Sequence, residues 1–315
     1  LLDKADNQEP SELSVTFYAW ENKQMTKFVY RLILTKSFII HESLQYYPGQ
    51  QPATVFERTL ANNVSAIHFG NKIKLRSAAK EEISLKCLSN MSVFAAYVQV
   101  NVNIPEIETV LWYFSEQVMP AVTPVHSLEQ YSDMEINLEE PKGYILQYLQ
   151  KADFNISDIS PKEDTSSDRT SKDIIFQHKV KDDKGNEAFY EFPQVLESDG
   201  TIRTMGLAGC IRETIANDAF LAVDEIESSL HPKLIEYIIE RFLKDSKQAQ
   251  LLVTTHYDGL LGEDDLIRKD SVWFTEKKAN GSTELYPLTE FKGLNRISSL
   301  QKAYKFGKFG AIPNL

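Results

Sequence analysis

The sequence predicts an α/β fold in which a mixed or parallel sheet is flanked by helices, with an antiparallel β subdomain at the amino-terminal side and a helical insertion between. Three observations carry this. Residues 14–20, 27–34 and 38–44 are runs rich in β-branched and aromatic residues, separated by short polar gaps. Gaps that short permit only an antiparallel meander, because a parallel crossover needs about a dozen residues. Residues 220–223 are Phe-Leu-Ala-Val and lead straight into Asp224 and Glu225, the pattern of a central parallel strand whose carboxyl end opens on a crevice. Behind Pro232, the residues Leu234, Ile235, Ile238, Ile239, Phe242 and Leu243 form the stripe of a helix with one buried face, and residues 251–255 then form a strand ending at His256.

The remaining elements follow in order. Ile107, Val110, Leu111 and Phe114 lie at helical spacing and read as ordinary core packing. Residues 153–173 are poor in large apolar side chains and dense in Ser, Asp and Lys, which predicts a mobile loop or linker. Residues 174–180 and 187–192 flank Asp182-Asp183-Lys184-Gly185-Asn186, a hairpin with its glycine in the turn; residues 272–276 and 284–288 flank Asn280-Gly281 in the same manner. These readings divide the chain into 1–50 (antiparallel β subdomain), 51–195 (helical or mixed insertion) and 196–315 (carboxyl-terminal α/β lobe).

Composition sets limits on partners. The formal charge of −11, from 34 Lys plus Arg against 45 Asp plus Glu, argues against a surface that is basic overall and grips nucleic acid by counterion release, though a local basic groove stays open. No apolar run approaches the roughly 18 to 20 residues that cross a bilayer, so no membrane partner and a cytoplasmic location are expected. Cys87 and Cys210 have no second Cys or His at ligand spacing, so neither a disulfide framework nor a zinc site is indicated, and both read as small buried hydrophobes.

The chemistry concentrates after residue 196. The segment from Phe220 to Thr255 has the size of one right-handed βαβ unit, which returns His256 to the sheet edge that carries Asp224 and Glu225. Two carboxylates at such an edge suit a phosphate–Mg²⁺ site, one to hold the hydrated metal and the other to orient or deprotonate the attacking water, with His256 placed to read the γ-phosphate or brace the water. On an extended strand end, adjacent side chains point to opposite sides, which would separate the two roles. Ser198-Asp199-Gly200-Thr201, at the start of a helical pattern, adds free backbone N–H groups, hydroxyls and a glycine that allows close approach, all favourable to phosphate.

Ser198-Asp199-Gly200, then 220–225, then Glu227-Ser228-Ser229-Leu230-His231-Pro232, then Thr254-Thr255-His256 resemble, in that order, the signature loop, Walker B strand, D-loop and switch histidine of ABC-type ATPases. The match covers roughly residues 195–260. More narrowly, residues 197–201 with Arg203, residues 223–227, Ser229-Leu230-His231-Pro232 and the closing residues 304–313 resemble the SMC/OLD-like ATPases of bacterial anti-phage and abortive-infection systems, the RloA and AbiL-like proteins. The resemblance implies ATP and Mg²⁺ as cofactors, Asp224 as the metal residue, Glu225 as base and His256 as γ-phosphate switch. It implies that Ser198 and Gly200 meet the γ-phosphate of ATP held by a second subunit, that Thr201 and Ser229 also belong to the nucleotide-binding set, and that Ser228 and Ser229 lie at the dimer seam. It further implies a homodimer or higher homo-oligomer, a separate effector such as a Toprim or RloB-like nuclease or toxin, and DNA or a phage protein as trigger. An SMC-like DNA-binding head and a hydrolysis-deficient scaffold are the alternatives. No Gly-x-x-x-x-Gly-Lys-Ser/Thr occurs in the sequence. Since the chain starts at Leu1 rather than Met, the expectation is that the phosphate loop lies upstream of it.

Overall fold

A computed structural model describes residues 9–21, 24–124, 138–152, 155–161 and 174–312. The chain divides into two compact units, Leu1–Glu116 and Gln117–Leu315.

The first unit is built on a sheet of strands β1 (Ser11–Glu21), β2 (Gln24–Leu34), β3 (Ile39–Tyr47), β4 (Ala53–Ala61) and β5 (Val64–Phe69), in that spatial order and antiparallel throughout. The expected meander is its first three strands. The boundary drawn at residue 50 falls inside this sheet, between β3 and β4. β4 and β5 are joined by Asn62 and Asn63, both with positive φ (52° and 61°), the geometry of a two-residue type I′ hairpin turn that asparagine tolerates better than most residues. Phe28, Leu44 and Phe56, with Val55 beside Phe56 where the β3–β4 register shifts, line a core closed by helices α1 (Ser77–Lys86), α2 (Val93–Tyr97) and α3 (Pro105–Glu116). Ile107 and Val110 are buried there, whereas Phe114 is 38% exposed.

Two core positions of this sheet are charged. Glu42 of β3 and Arg58 of β4 are fully buried, with Arg58 Nη1 3.8 Å from Glu42 Oε2. Tyr30 Oη and the Val93 N–H each donate to the Glu42 carboxylate at 2.9 Å. Arg58 donates to Ser65 Oγ and to the carbonyls of Leu88 and Ser89, so it ties the turn after α1 to the sheet. Burial raises the Glu42 carboxyl above its ordinary range in spite of these donors.

The second unit contains α4 (Glu139–Ala152), a three-stranded antiparallel sheet β6 (Ile156–Pro161), β7 (Ile174–Lys181) and β8 (Glu187–Pro193), helix α5 (Asp199–Ala216), strand β9 (Phe220–Val223), helix α6 (Pro232–Asp245) and strand β10 (Gln250–Val253). β9 and β10 pair in parallel, with Leu221 opposite Leu251 and Val223 opposite Val253. Val118 and Val122 bridge to Phe220 and Val223, also in parallel, so the extended segment before residue 124 lies on the other side of β9. α6 buries Leu234, Ile235, Ile238, Ile239 and Phe242 against this layer, each worth about 1.5–3 kcal/mol relative to an exposed side chain. A second hairpin, β11 (Trp273–Lys277) and β12 (Thr283–Pro287), packs with α7 (Leu300–Lys305) and Phe309 in a small cluster of its own.

Both predicted hairpins are present, with φ of 81° at Gly185 and 83° at Gly281. The reading of 153–173 as a loop is corrected where the structure describes it: residues 156–161 are strand β6, and Ile156 and Ile159 are buried. The register against β7 shifts between Ile156 and Asp158, so the apolar residues recur at a spacing of three, and the strand lacks the period of two that betrays others. The rest of that segment lies outside the described residues. The segment expected as a helical or mixed insertion, 51–195, contributes five strands as well as four helices among the described residues. Cys87 and Cys210 are both buried. No described helix is long and apolar enough to cross a membrane.

Candidate functional site

The acidic edge is built by β9 and β10. The ladder continues one residue past β9, where the Asp224 N–H donates to Val122 O at 2.7 Å, and one past β10, where the Thr254 N–H donates to Val223 O at 3.0 Å. At Glu225 the chain leaves the sheet with φ of 47°. The two acids are therefore not separated by strand alternation, as the sequence suggested. Glu225 occupies the left-handed region, unusual for a residue with a side chain, and the turn it opens closes through Ser228 N–H to Glu225 O at 2.9 Å. Both acids are exposed.

One hydroxyl holds this arrangement. Thr254 Oγ1 accepts from the Glu225 N–H at 2.9 Å and donates to Asp224 Oδ1. It anchors the strained backbone of one acid and orients the carboxylate of the other. Thr254 belongs to the Thr254-Thr255-His256 run but had no role in the sequence reading; its signal was a hydroxyl at the end of the strand beside the acids. Replacing it by isosteric valine removes both bonds from an exposed position, so the ATP turnover that the sequence resemblance implies is expected to fall about tenfold, the equivalent of one to two hydrogen bonds, with the unfolding midpoint almost unchanged. Steady-state kinetics of Thr254→Val beside a denaturation curve checks this. Turnover within twofold of the parent would refute it.

His256 is fixed through its backbone: its N–H donates to Glu227 Oε1 at 2.6 Å, while the residue itself is exposed. Burial would raise the Glu227 carboxyl, but hydrogen bonds from the His256 N–H and the Thr255 side chain outweigh it and hold the group below its ordinary value. Glu227 thus carries its charge into the turn and ties it to the strand that delivers His256.

The second part of the site is the amino terminus of α5. Ser198 is its N-cap, with Oγ accepting from the Thr201 N–H at 3.1 Å and lying 2.8 Å from Thr201 Oγ1. Thr201 is 5% exposed, so its hydroxyl is turned to the cap rather than free. A Cβ added at Gly200 would stand 2.8 Å from Ser229 O; only glycine permits this approach of helix and turn. Ser229, at φ 60°, takes the left-handed conformation there. Ser198, Gly200, Thr201 and Ser229 line one cleft of about 720 Å³, together with Lys151, His231, Lys233 and Tyr237. Asp224, Glu225 and His256 do not line it, so the structure gathers the predicted residues into two groups rather than one. A smaller cleft in the first unit, about 440 Å³, has no charged side chain in its lining.

Among the described residues no three His, Cys, Asp or Glu side chains gather as a metal cage. Mg²⁺ bound with a nucleotide needs no such cage, since water and phosphate oxygens fill most of its octahedron. One exposed carboxylate oriented by a hydroxyl, as at Asp224, fits that demand.

A family model described as "AAA domain, putative AbiEii toxin, Type IV TA system" matches residues 81–262. No curated protein matches the chain. Among solved structures, the SMC head domain from Thermotoga maritima is 13% identical with a TM-score of 0.37, covering 81% of this chain and 76% of that one. A structure of the SmcHead bound to the C-winged helix domain of ScpA is 12% identical with a TM-score of 0.37, covering 90% and 78%.

Proposed function

The chain belongs to the AAA-domain family whose model spans residues 81–262, and from that premise we propose that it is an ABC-type ATP-hydrolysing head that works as a nucleotide-driven dimer switch. The observation that carries this reading is the Thr254 hydroxyl shared between Asp224 and Glu225 at the end of a parallel strand pair. Such an arrangement prepares one carboxylate for Mg²⁺ and a second for the attacking water, and phosphoryl transfer asks the protein for little beyond positioning and charge. When bound, Mg²⁺ would neutralise charge developing on the phosphates; Asp224 would hold it through water. Glu225 would take the proton of the attacking water, and His256, delivered by the backbone bond to Glu227, would stand by the γ-phosphate.

The separation of the two groups supports a dimer. Ser198 and Gly200 sit at a helix amino terminus, where N–H groups and the helix dipole favour an anion, but on a cleft that the acids do not line. One chain's α5 would then complete the acidic edge of another, with Ser228 and Ser229 at the seam. The phosphate-loop lysine, which is not among these 315 residues, has to be supplied in addition. The edge of β10 away from β9, where Leu252 is 55% exposed, offers a place for a further strand beside the site.

The wider reading is a switch in a bacterial phage-defence system that holds or releases a separate effector, such as a Toprim or RloB-like nuclease. The family description, with its reference to a type IV toxin–antitoxin system, supports that direction. Mg²⁺-dependent ATP hydrolysis by the complete gene product tests the core of the proposal. Turnover per head should rise with protein concentration as dimers form. No turnover together with no ATP binding would leave a nucleotide-free scaffold in place of an ATPase.

A further inference from the structure

Arg203 lies on α5 one turn beyond the Ser198–Gly200 loop and is 7% exposed. Among the described residues no carboxylate forms an ion pair with it, although those of Glu225 and Glu227 lie near enough to act on its charge. Its Nη1 and Nη2 donate to the backbone carbonyls of Thr123 and Glu225, each at 3.4 Å, and its Nε has no partner. Glu227, on the same turn as Glu225, likewise has a buried carboxylate oxygen, Oε2, without a partner. Two opposite charges therefore stand incompletely satisfied around one turn.

As a stabilising device this is poor. Hydrogen bonds to neutral acceptors at 3.4 Å lie at the weak end of the range, while burying a guanidinium is costly unless it is fully paired. Burial also pushes the arginine below its ordinary value, against the pull of the Glu225 and Glu227 carboxylates. The position makes sense by what it connects. The guanidinium joins the helix that begins at Asp199, the residue that follows the strand-like segment beside β9, and the carbonyl of Glu225 in its left-handed conformation.

We propose that Arg203 is a positioning residue that couples occupancy of the Ser198–Gly200 loop to the orientation of Glu225. It clamps the Glu225 turn to α5, so an anion drawn to the amino terminus of α5 acts on the base through the guanidinium, and the unsatisfied Nε and Glu227 Oε2 leave a second pairing open to it. This rests on the ATPase reading above. It goes beyond that reading in assigning a residue that touches neither metal nor phosphate.

The experiment compares Arg203→Met and Arg203→Lys with the parent in the full-length protein, measuring ATP affinity with Mg²⁺ by calorimetry, turnover, and the unfolding midpoint. Arg203→Met should keep the affinity within about threefold and lower turnover about 30-fold or more, a split between binding and chemistry that a merely structural role would not give. Arg203→Lys should recover part of the turnover, since an ammonium reaches one carbonyl but does not span two. Turnover of Arg203→Met within about twofold of the parent, or affinity, turnover and folding lost in parallel, would overturn the proposal. If Arg203→Met does not fold, Arg203→Lys decides: lowered turnover at unchanged affinity upholds the clamp, and unchanged turnover removes it. A parent protein without turnover overturns both this proposal and the ATPase reading, whereas an active parent with an indifferent Arg203 overturns this one alone.

Discussion

Glu225→Gln in the complete protein is expected to lower Mg²⁺-dependent ATP turnover by about 10²- to 10⁴-fold, the usual contribution of a positioned general base, while ATP binding persists and ATP-dependent dimers accumulate. The amide keeps the size of the side chain and leaves untouched the two backbone contacts that shape the turn, from the Glu225 N–H to Thr254 Oγ1 and from Arg203 to the Glu225 carbonyl. It removes only the capacity to accept a proton. A fall in turnover without a change in nucleotide affinity therefore reports chemistry rather than fold. Size-exclusion chromatography with and without ATP reads the second half of the prediction. Turnover equal to the parent's would remove Glu225 as base, and lost nucleotide binding would mean that the residue shapes the pocket instead.

The largest effect on stability is expected in the first unit. Arg58→Ala should cost about 3–5 kcal/mol, the range for removing one partner of a buried ion pair, measured as a shift in the denaturant midpoint at neutral pH. Three groups lose the guanidinium as a donor at once: Ser65 Oγ and the carbonyls of Leu88 and Ser89, the carbonyls keeping the N–H groups of Met91 and Ile39. Glu42 loses Arg58, its ion-pair partner among the described residues, and remains in an apolar core with Tyr30 and the Val93 N–H. The pH dependence has a definite sign. The folded-state pKa of Glu42 is already raised by burial above the ordinary 4.5, so the folded protein holds that proton more tightly than the unfolded chain, and stability falls as pH rises through this window. Removing the arginine charge raises the value further. The variant should regain stability as pH is lowered from neutrality toward 4.5, more than the parent does. The double variant Arg58→Met with Glu42→Leu should cost less than Arg58→Ala alone, because no charge is left unpaired. A single-variant loss below about 1 kcal/mol would show that water reaches the pair.

Much of the site was legible because its signals are local. Phe220 to Glu225 reads as a buried strand opening on acids, Ser198 as an N-cap, and Pro232 as the first residue of an amphipathic helix; all three depend on residues within one turn or one strand of each other. The hairpins at Gly185 and Gly281 were legible for the same reason. β4 and β5 escaped because their turn is Asn62-Asn63 without a glycine, and β6 because its bulge changes the spacing of Ile156 and Ile159. The buried pair Glu42–Arg58 was invisible, since a charged residue at a core position of a strand contradicts the alternation from which strands are read.

By itself, then, the sequence determined which residues could carry the chemistry: the order of Ser198, Gly200, Asp224, Glu225, Ser229 and His256, and the strands and helices that end at them. Only the tertiary structure decided how they are arranged. Residues about 30 apart in the chain meet when β10 pairs with β9, and that pairing gives Thr254 to both acids and Glu227 to the backbone of His256. The left-handed backbone of Glu225, the approach of Gly200 to Ser229 O, and the placing of the cap residues on a cleft apart from the acids depend on the same long-range packing. The physical reason is that propensity and periodicity are properties of neighbours in sequence, whereas a hydrogen bond between two strand ends exists only once the core beneath them has fixed their register.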